Sequence, residues 1–290
     1  MDVLVEILVR GAQTSAVLAL LALGFSLVYG VGGVVNLAHG SLFMVGAYAA
    51  VAGVTTLGLP LWLAYAFGVA VAGASGAVLY LLIVRPVRRD PLTVLIVTLG
   101  AAIFIAALVR FLFGTANRGL GGLVGGSFSI FGVRVQQTRM LAFVVGVLAV
   151  GLLLAVLRKT AAGRIVRAVA QDPEAAILMG IDPGRVLLAV MTIGGALAGL
   201  AGVTTAPFEA VFPDMWLRPL TMAFAIVILG GLGSVEGTVL AAVLLGFLDR
   251  AVAFGLPSGE RYVDLIAVLV ILGTLVVRPQ GIVARAGAHH

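Results

Sequence analysis

The chain has 290 residues, 62% of them hydrophobic and 10% charged, with a mean hydropathy of +1.21 and a formal net charge of +6. A soluble domain is about 45–50% apolar and about 25% charged, so this chain has too little polar surface to stay dissolved and reads as an integral membrane protein. With no cysteine, disulfides, thiolate catalysis and Cys-based metal sites are excluded; an arginine excess here serves topology and anionic membrane lipid, with no role for nucleic acid.

Runs such as Leu141 to Leu157 are continuously apolar instead of alternating, which predicts helices and not barrel strands. At roughly 20 residues per crossing, the length predicts an all-α, polytopic transmembrane helical bundle. It holds about eight to ten spans, some interrupted, in a single domain over residues 1–290.

The N-terminus carries acidic residues where a signal peptide would be basic, so it reads as an uncleaved first span at Ala12–Val31. The next spans are expected at Val34–Val54, Leu61–Val84 and Leu92–Phe113. A glycine-rich loop, Gly114–Thr138, follows, and its alternating end predicts a short hairpin. Further spans are expected at Met140–Leu157, Val186–Thr205, Thr221–Leu232, Val239–Phe254 and Val263–Val277.

Under alternating crossing, three loops fall on one side and hold Arg85, Arg88, Arg89, Arg158, Lys159, Arg164, Arg167, Arg185, Arg278 and Arg285, ten of the eighteen basic residues. The positive-inside rule makes that side cytoplasmic. His289 and His290 read as a tag remnant.

No serine sits in a nucleophile elbow and no histidine pair has metal-ligand spacing, so an intramembrane enzyme has no support. A secondary transporter usually keeps ionisable relay residues inside its spans, yet the twelve carboxylates fall almost entirely in loops or at span ends. Asp249 is the clearest exception; Arg250 beside it suits an interfacial or locally neutralised residue better than a relay. A P-loop is also missing, and the one lysine is Lys159. Any ATP that drives transport is therefore bound by another chain.

The cytoplasmic loop, about residues 158–185, reads "AAGRIVRAVAQDPEAAILMGI" over Ala161–Ile181. Asp172 can cap a short helix with Pro173 in its first turn, and Gly180 can end it in a left-handed cap. A simple amphipathic surface loop is the plain alternative; the functional reading is a rigid helical hairpin that docks a partner.

In the early stretch "YGVGGVVNLAHGSLFMVGAY", Asn36 and His39 are three apart and share one side of a helix. Unpaired polar groups in lipid cost several kcal/mol, so both are expected to face inward or to cap. The candidate pathway or helix-break residues are Asn36, His39, Gly40 and Ser41 here, and Gly230, Gly231, Gly233 and Ser234 in the second half. Either a helix is interrupted near a pathway, or a tight hairpin joins spans one and two at the cytoplasmic rim. The structural alternative has Asn36 capping span two and His39 bonding a neighbouring carbonyl. Two glycine-interrupted segments, Gly30–Gly46 and Gly230–Gly237, lie in the two halves; such pairs mark transport paths in some folds, and chance is the rival in a chain with 39 glycines.

Four stretches, in order from Gly24 to Ile282, carry a resemblance: the one just quoted, "GRIVRAVAQDPEAAILMGID", "VILGGLGSVEGTVLAAVLLGFLD" and "RPQGI". The chain resembles the permease subunits of branched-chain amino acid ABC importers, the LivH-type half. The resemblance implies a coupling role for Arg164, Arg167, Asp172, Glu174, Ala175 and Gly180 in the cytoplasmic loop. It also implies a second permease subunit, LivM-type or a copy of this chain, together with two ATPase subunits and a periplasmic substrate-binding protein. No cofactor is expected on this chain; ATP and Mg are handled by the partners. The location implied is a bacterial or archaeal inner membrane. Related permeases for urea, short amides or aromatic acids are the alternative on substrate, and a stand-alone secondary transporter or channel is the rival in kind.

Overall fold

Apolar runs become helices here because, away from water, a backbone satisfies its N–H and C=O groups only internally. The computed structural model describes residues 2–130, 132–256, 259–278 and 280–282. Arg285, Pro279 of the "RPQGI" stretch, His289 and His290 lie outside the described residues.

The helices are α1 (Asp2–Gly32), α2 (His39–Thr55), α3 (Leu61–Val87) and α4 (Pro91–Phe113). A two-stranded antiparallel hairpin follows, β1 (Ser127–Ile130) with β2 (Val133–Gln136), pairing Ser127 with Gln136. It lies where the alternating end of the glycine-rich loop predicted one. Then come α5 (Gln137–Lys159), α6 (Ala161–Gln171), α7 (Pro173–Leu178), α8 (Pro183–Thr205), α9 (Leu217–Gly230), α10 (Val235–Gly255) and α11 (Val263–Val277). Among the described residues six helices are long and apolar enough to cross a membrane, whereas α2, α9 and Leu265–Val277 of α11 are apolar but shorter.

The apolar segments fall where hydropathy placed them, but several helices start elsewhere: α1 begins at Asp2 and not Ala12, and α10 at Val235 and not Val239. Span two was expected as helix from Val34, but α2 begins at His39. The helix α1 closes on Gly33 at φ 63°, whose N–H donates to the Tyr29 carbonyl, and the Asn36 side chain then takes the Ala38 N–H at 3.1 Å. That local bond competes with helix propagation. Asn36 therefore precedes the helix and does not share a helical face with His39. In the second half α9 starts earlier than expected, at Leu217, and stops at Gly230 because Gly231 has φ 98°.

The centre of the bundle is α8, which packs on α1, α2 and α3, while α1 packs on α10. Lipid tails are as apolar as leucine, so helices associate through close packing of small residues and not through hydrophobicity. Gly195 and Gly199 on α8 face Ala72 and Gly76 on α3: a Cβ at Gly195 would stand 2.6 Å from the Ala72 carbonyl oxygen. Gly46 on α2 meets Gly199 as closely, 2.5 Å from its Cα. Between α1 and α10, Ser15 lies under Gly246 and donates to the Gly11 and Val243 carbonyls at 2.7 and 3.2 Å. In contrast α4 and α5 turn most of their side chains outward, with Phe111 85% and Leu152 67% exposed. Between α3 and α4, Asp90 caps α4 through the Leu92 N–H at 3.2 Å. The Thr93 hydroxyl, and to a smaller extent backbone N–H groups, hold its carboxyl below the usual aspartate range.

Candidate functional site

Three features stand out within the bundle: a broken segment, a glycine turn and a cavity at the end opposite the basic hairpin. The broken segment is residues 33–38, which run without helix between α1 and α2 and bury Val34, Asn36 and Ala38. His39 begins α2, and its Nε2 lies 2.9 Å from the Leu21 carbonyl oxygen. Leu21 precedes the end of α1 by eleven residues, about 16 Å along the helix. The chain therefore re-enters the bundle as non-helical backbone before α2 starts. Of the two sequence readings, the geometry is an interrupted helix and not a hairpin at the rim.

Within it, the polar groups are held by protein. Asn36 Nδ2 faces Met191 Sδ at 3.9 Å, and the Leu37 N–H donates to Thr98 Oγ1 at 3.1 Å. Ser41 Oγ donates to the Ala102 carbonyl at 3.4 Å. Gly40 lies under the start of α9, where a Cβ would overlap the Trp216 carbonyl oxygen and stand 2.7 Å from Leu220 Cβ. His39 thus bonds a neighbouring carbonyl, as the structural alternative had it, while Asn36 forms a turn in place of a cap.

The second glycine segment joins α9 to α10. Ser234 caps α10 by accepting from the Gly237 N–H at 3.1 Å, and Gly230 and Gly237 meet backbone to backbone. Gly233, at φ 77°, packs against Gly30 of α1, whose Cβ would lie 3.3 Å from the Gly233 Cα. The two interrupted segments noted in the sequence therefore touch. The terminal stretch closes over the same turn: the Ile282 N–H donates to the Leu229 carbonyl at 2.7 Å, and Gly281 sits on Gly231. That bond occupies a carbonyl left over at the end of α9. Gly281→Val should release the stretch, because φ 78° and contact with the Gly231 backbone both exclude a side chain. Faster hydrogen exchange at Ile282 is the expected readout.

At the same end of the bundle, residues 158–185 form the predicted helical hairpin. Thr160 caps α6 through the Gly163 N–H, and Asp172 caps α7 by accepting from Glu174 and Ala175 N–H, both at 2.9 Å. Gly180 ends the turn at φ 78°. Arg167 reaches back to the Leu157 carbonyl, and Arg158 pairs with Glu236 of α10. Arg167, Asp172 and Gly180 therefore build the hairpin, while Arg164, Glu174 and Ala175 lie on its surface. The sequence reading missed the tip: Ile177, Leu178 and Met179 are 58%, 88% and 82% exposed. Three consecutive apolar residues just before the predicted left-handed glycine were the available signal. Asp172→Ala should cost about 1 kcal/mol of local stability, seen as faster amide exchange in α7.

At the opposite end a cavity of about 830 Å³ opens between α1, α5, α9, α10, α11 and the 205–216 connection. Its floor includes Leu21, whose carbonyl is bonded to His39, and Phe43 of α2. Its wall carries Arg139, Arg218 and Arg250 against Glu209, Asp214 and Asp249. Asp249 is only 4% exposed; Arg250 Nε donates to it at 2.6 Å and Arg218 approaches from α9 at 3.4 Å. Local neutralisation by Arg250 is as expected, while Asp249 is also buried within the protein and the second arginine comes from a different helix. Asp214 is held by Arg110 at 2.7 Å, and Arg139 lies over the Phe208 ring at 4.3 Å.

Residues 7–275 match the family model described as the branched-chain amino acid transport system / permease component. The chain is 32% identical to the high-affinity branched-chain amino acid transport system permease protein BraD of Pseudomonas aeruginosa, covering 96% of this chain and 95% of that one. It is 30% identical to the corresponding protein LivH of Escherichia coli, over 95% and 94% of the two chains. Among solved structures, PsaBC from Streptococcus pneumoniae in complex with Fab shares the fold, with a TM-score of 0.55, 14% identity and coverage of 94% and 92%. The glycine-broken second span and the capped hairpin thus lie within the matched residues, and the chain belongs to the branched-chain amino acid transport system permease family.

Proposed function

We propose that this chain is the membrane-spanning permease subunit of an ATP-driven importer that moves branched-chain or other hydrophobic amino acids. It carries no ATP site of its own. Two ATPase subunits dock on the basic end and hydrolyse ATP with Mg, a second permease completes the path, and a periplasmic binding protein delivers the substrate in a bacterial or archaeal inner membrane.

The observation that carries the reading is the exposed Ile177–Met179 tip on a hairpin stiffened by two caps and tied to α10 through Arg158 and Glu236. An apolar tip standing out from the bundle gains by burial in a partner at about 25 cal/mol per Å². The hairpin is braced against α1, α5 and α8, so motion of the partner reaches the bundle instead of being absorbed by a loose loop.

The test reconstitutes the chain with its chromosomally neighbouring permease, ATPase and binding-protein subunits in liposomes and follows labelled leucine. Uptake that requires hydrolysable ATP and both ATPases supports the reading. Leucine transport by the purified chain alone, unaffected by adding the ATPases, would establish a self-contained transporter instead.

A further inference from the structure

We propose that the cleft between the end of α3 and the start of α8, at the basic end of the bundle, is a phosphate-binding site. The chemistry suits the headgroup of an anionic membrane lipid or a free phosphate. The site is built by this chain alone and does not depend on which solute the complex carries.

Gly184, in the first turn of α8, leaves its face bare. The three atoms nearest to a Cβ there are all polar and come from three segments: Asp182 Oδ1 at 3.1 Å, Tyr80 OH at 3.4 Å and Arg88 Nη1 at 3.6 Å. Tyr80 is 1% exposed, and its hydroxyl has no hydrogen-bond partner. Buried side-chain polar groups nearly always have one. The Arg88 side chain makes no ion pair or hydrogen bond among the described residues. A buried hydroxyl and a guanidinium, both able to donate and both lacking an acceptor, therefore look onto one bare glycine. Asp182 is not that acceptor: its Oδ1 takes the Gly184 N–H at 2.8 Å, and its Oδ2 faces Arg185 Nε at 3.4 Å.

The surrounding field favours an anion. The 23-residue helix α8 starts at this point, and a helix start carries a partial positive charge. Arg85, Arg88, Arg89 and Arg185 outnumber Asp90 and Asp182 around it. Over Tyr80–Val84 the helix α3 winds as a π-turn, with the Arg85 N–H bonding the Tyr80 carbonyl five residues back. Such a turn holds one extra residue and shifts the arginines that follow around the helix axis. Basic pockets between helices at the inner side of a membrane bind phosphate headgroups. Leu82 and Leu92, exposed on either side of these arginines in the chain, offer apolar surface to the acyl chains of such a lipid.

The experiment titrates the full chain in detergent with phosphatidylglycerol, phosphatidylcholine and inorganic phosphate, and reads bound ligand by native mass spectrometry. Phosphatidylglycerol is expected to bind about tenfold more tightly than phosphatidylcholine, whose choline meets the excess positive charge. Tyr80→Phe and Arg88→Gln should each weaken the first binding step about tenfold, the scale of one hydrogen bond to a charged group. Neither removes a bond within the chain, so both should melt with the wild type in lipid-free detergent. Gly184→Leu, which covers the bare face, should abolish the step. Lys159→Gln, which removes an exposed charge elsewhere at the basic end, should leave it unchanged. Inorganic phosphate that displaces the lipid, with the same sensitivity to Tyr80→Phe and Arg88→Gln, supports the site and makes its ligand a soluble phosphate. Binding that ignores both substitutions, binding that Lys159→Gln weakens as much, or no binding of either phosphate source overturns it.

Discussion

Replacing Leu178 and Met179 together by aspartate is expected to abolish ATP-driven uptake by the complex while leaving the permease folded. Both side chains stand almost wholly outside the fold, at 88% and 82% exposure. Surface substitutions of this kind usually change stability by no more than about 0.5 kcal/mol, so the isolated variant should melt with the wild type. The partner's side of the balance is different. An apolar contact turns into two carboxylates buried without partners, each costing several kcal/mol, and every 1.4 kcal/mol lowers affinity about tenfold. Co-purification of the ATPases should therefore fall by at least about a hundredfold. Asp172 and Gly180 remain in place to hold the hairpin, so lost uptake cannot be put down to an unfolded loop. ATPases that stay bound to the double variant would remove the tip from the docking surface.

Gly202→Leu should do the opposite, destroying the fold without touching a charge or the partner surface. A Cβ at Gly202 overlaps the Phe43 carbonyl of α2, with the Phe43 carbonyl carbon at 2.9 Å. The obstacle is backbone in the middle of a helix, which cannot swing aside as a side chain can. Overpacking usually costs about 1–3 kcal/mol, and here the upper end is expected, because α2 must separate from α8. That separation also strains the α3 contacts, since Gly46, Gly199 and Ala72 are stacked through the same crossing. The measurement is thermal unfolding in detergent, followed by loss of the monodisperse peak. Gly151→Leu on outward-facing α5, where a Cβ meets nothing within 4 Å, is the control that should leave the melting temperature unchanged. A Gly202→Leu protein as stable as this control would mean that α2 and α8 do not pack through this face.

Much of the basic-end hairpin was legible in the sequence because its determinants are local. Asp172 reaches N–H groups two and three residues on, and Gly180 needs only its own backbone torsion. The break before α2 was half legible: the glycines and Asn36 signalled an interruption, but its depth depends on the His39 bond to Leu21, eighteen residues away in sequence. The expectation that Asn36 and His39 share a helical face assumed a helix that the Asn36 side chain itself prevents. Asp249 shows the same division. Its neighbour Arg250 was visible in the chain, whereas Arg218 lies 31 residues before it and reaches it only across the cavity.

By itself the sequence determined that this is a multi-pass helical membrane protein, where its apolar segments lie, and how its hairpin is capped. These follow from composition, run length and hydrogen bonds between near neighbours. Only the tertiary structure decided which faces are buried, that Gly30 meets Gly233, that the C-terminal stretch bonds over the α9 turn, and that six charged side chains line one cavity with apolar ones. The physical reason is the solvent. In water, hydrophobicity separates inside from outside along each helix, but in lipid both sides of a helix are apolar, and the inward face is chosen by close fit between residues far apart in the chain.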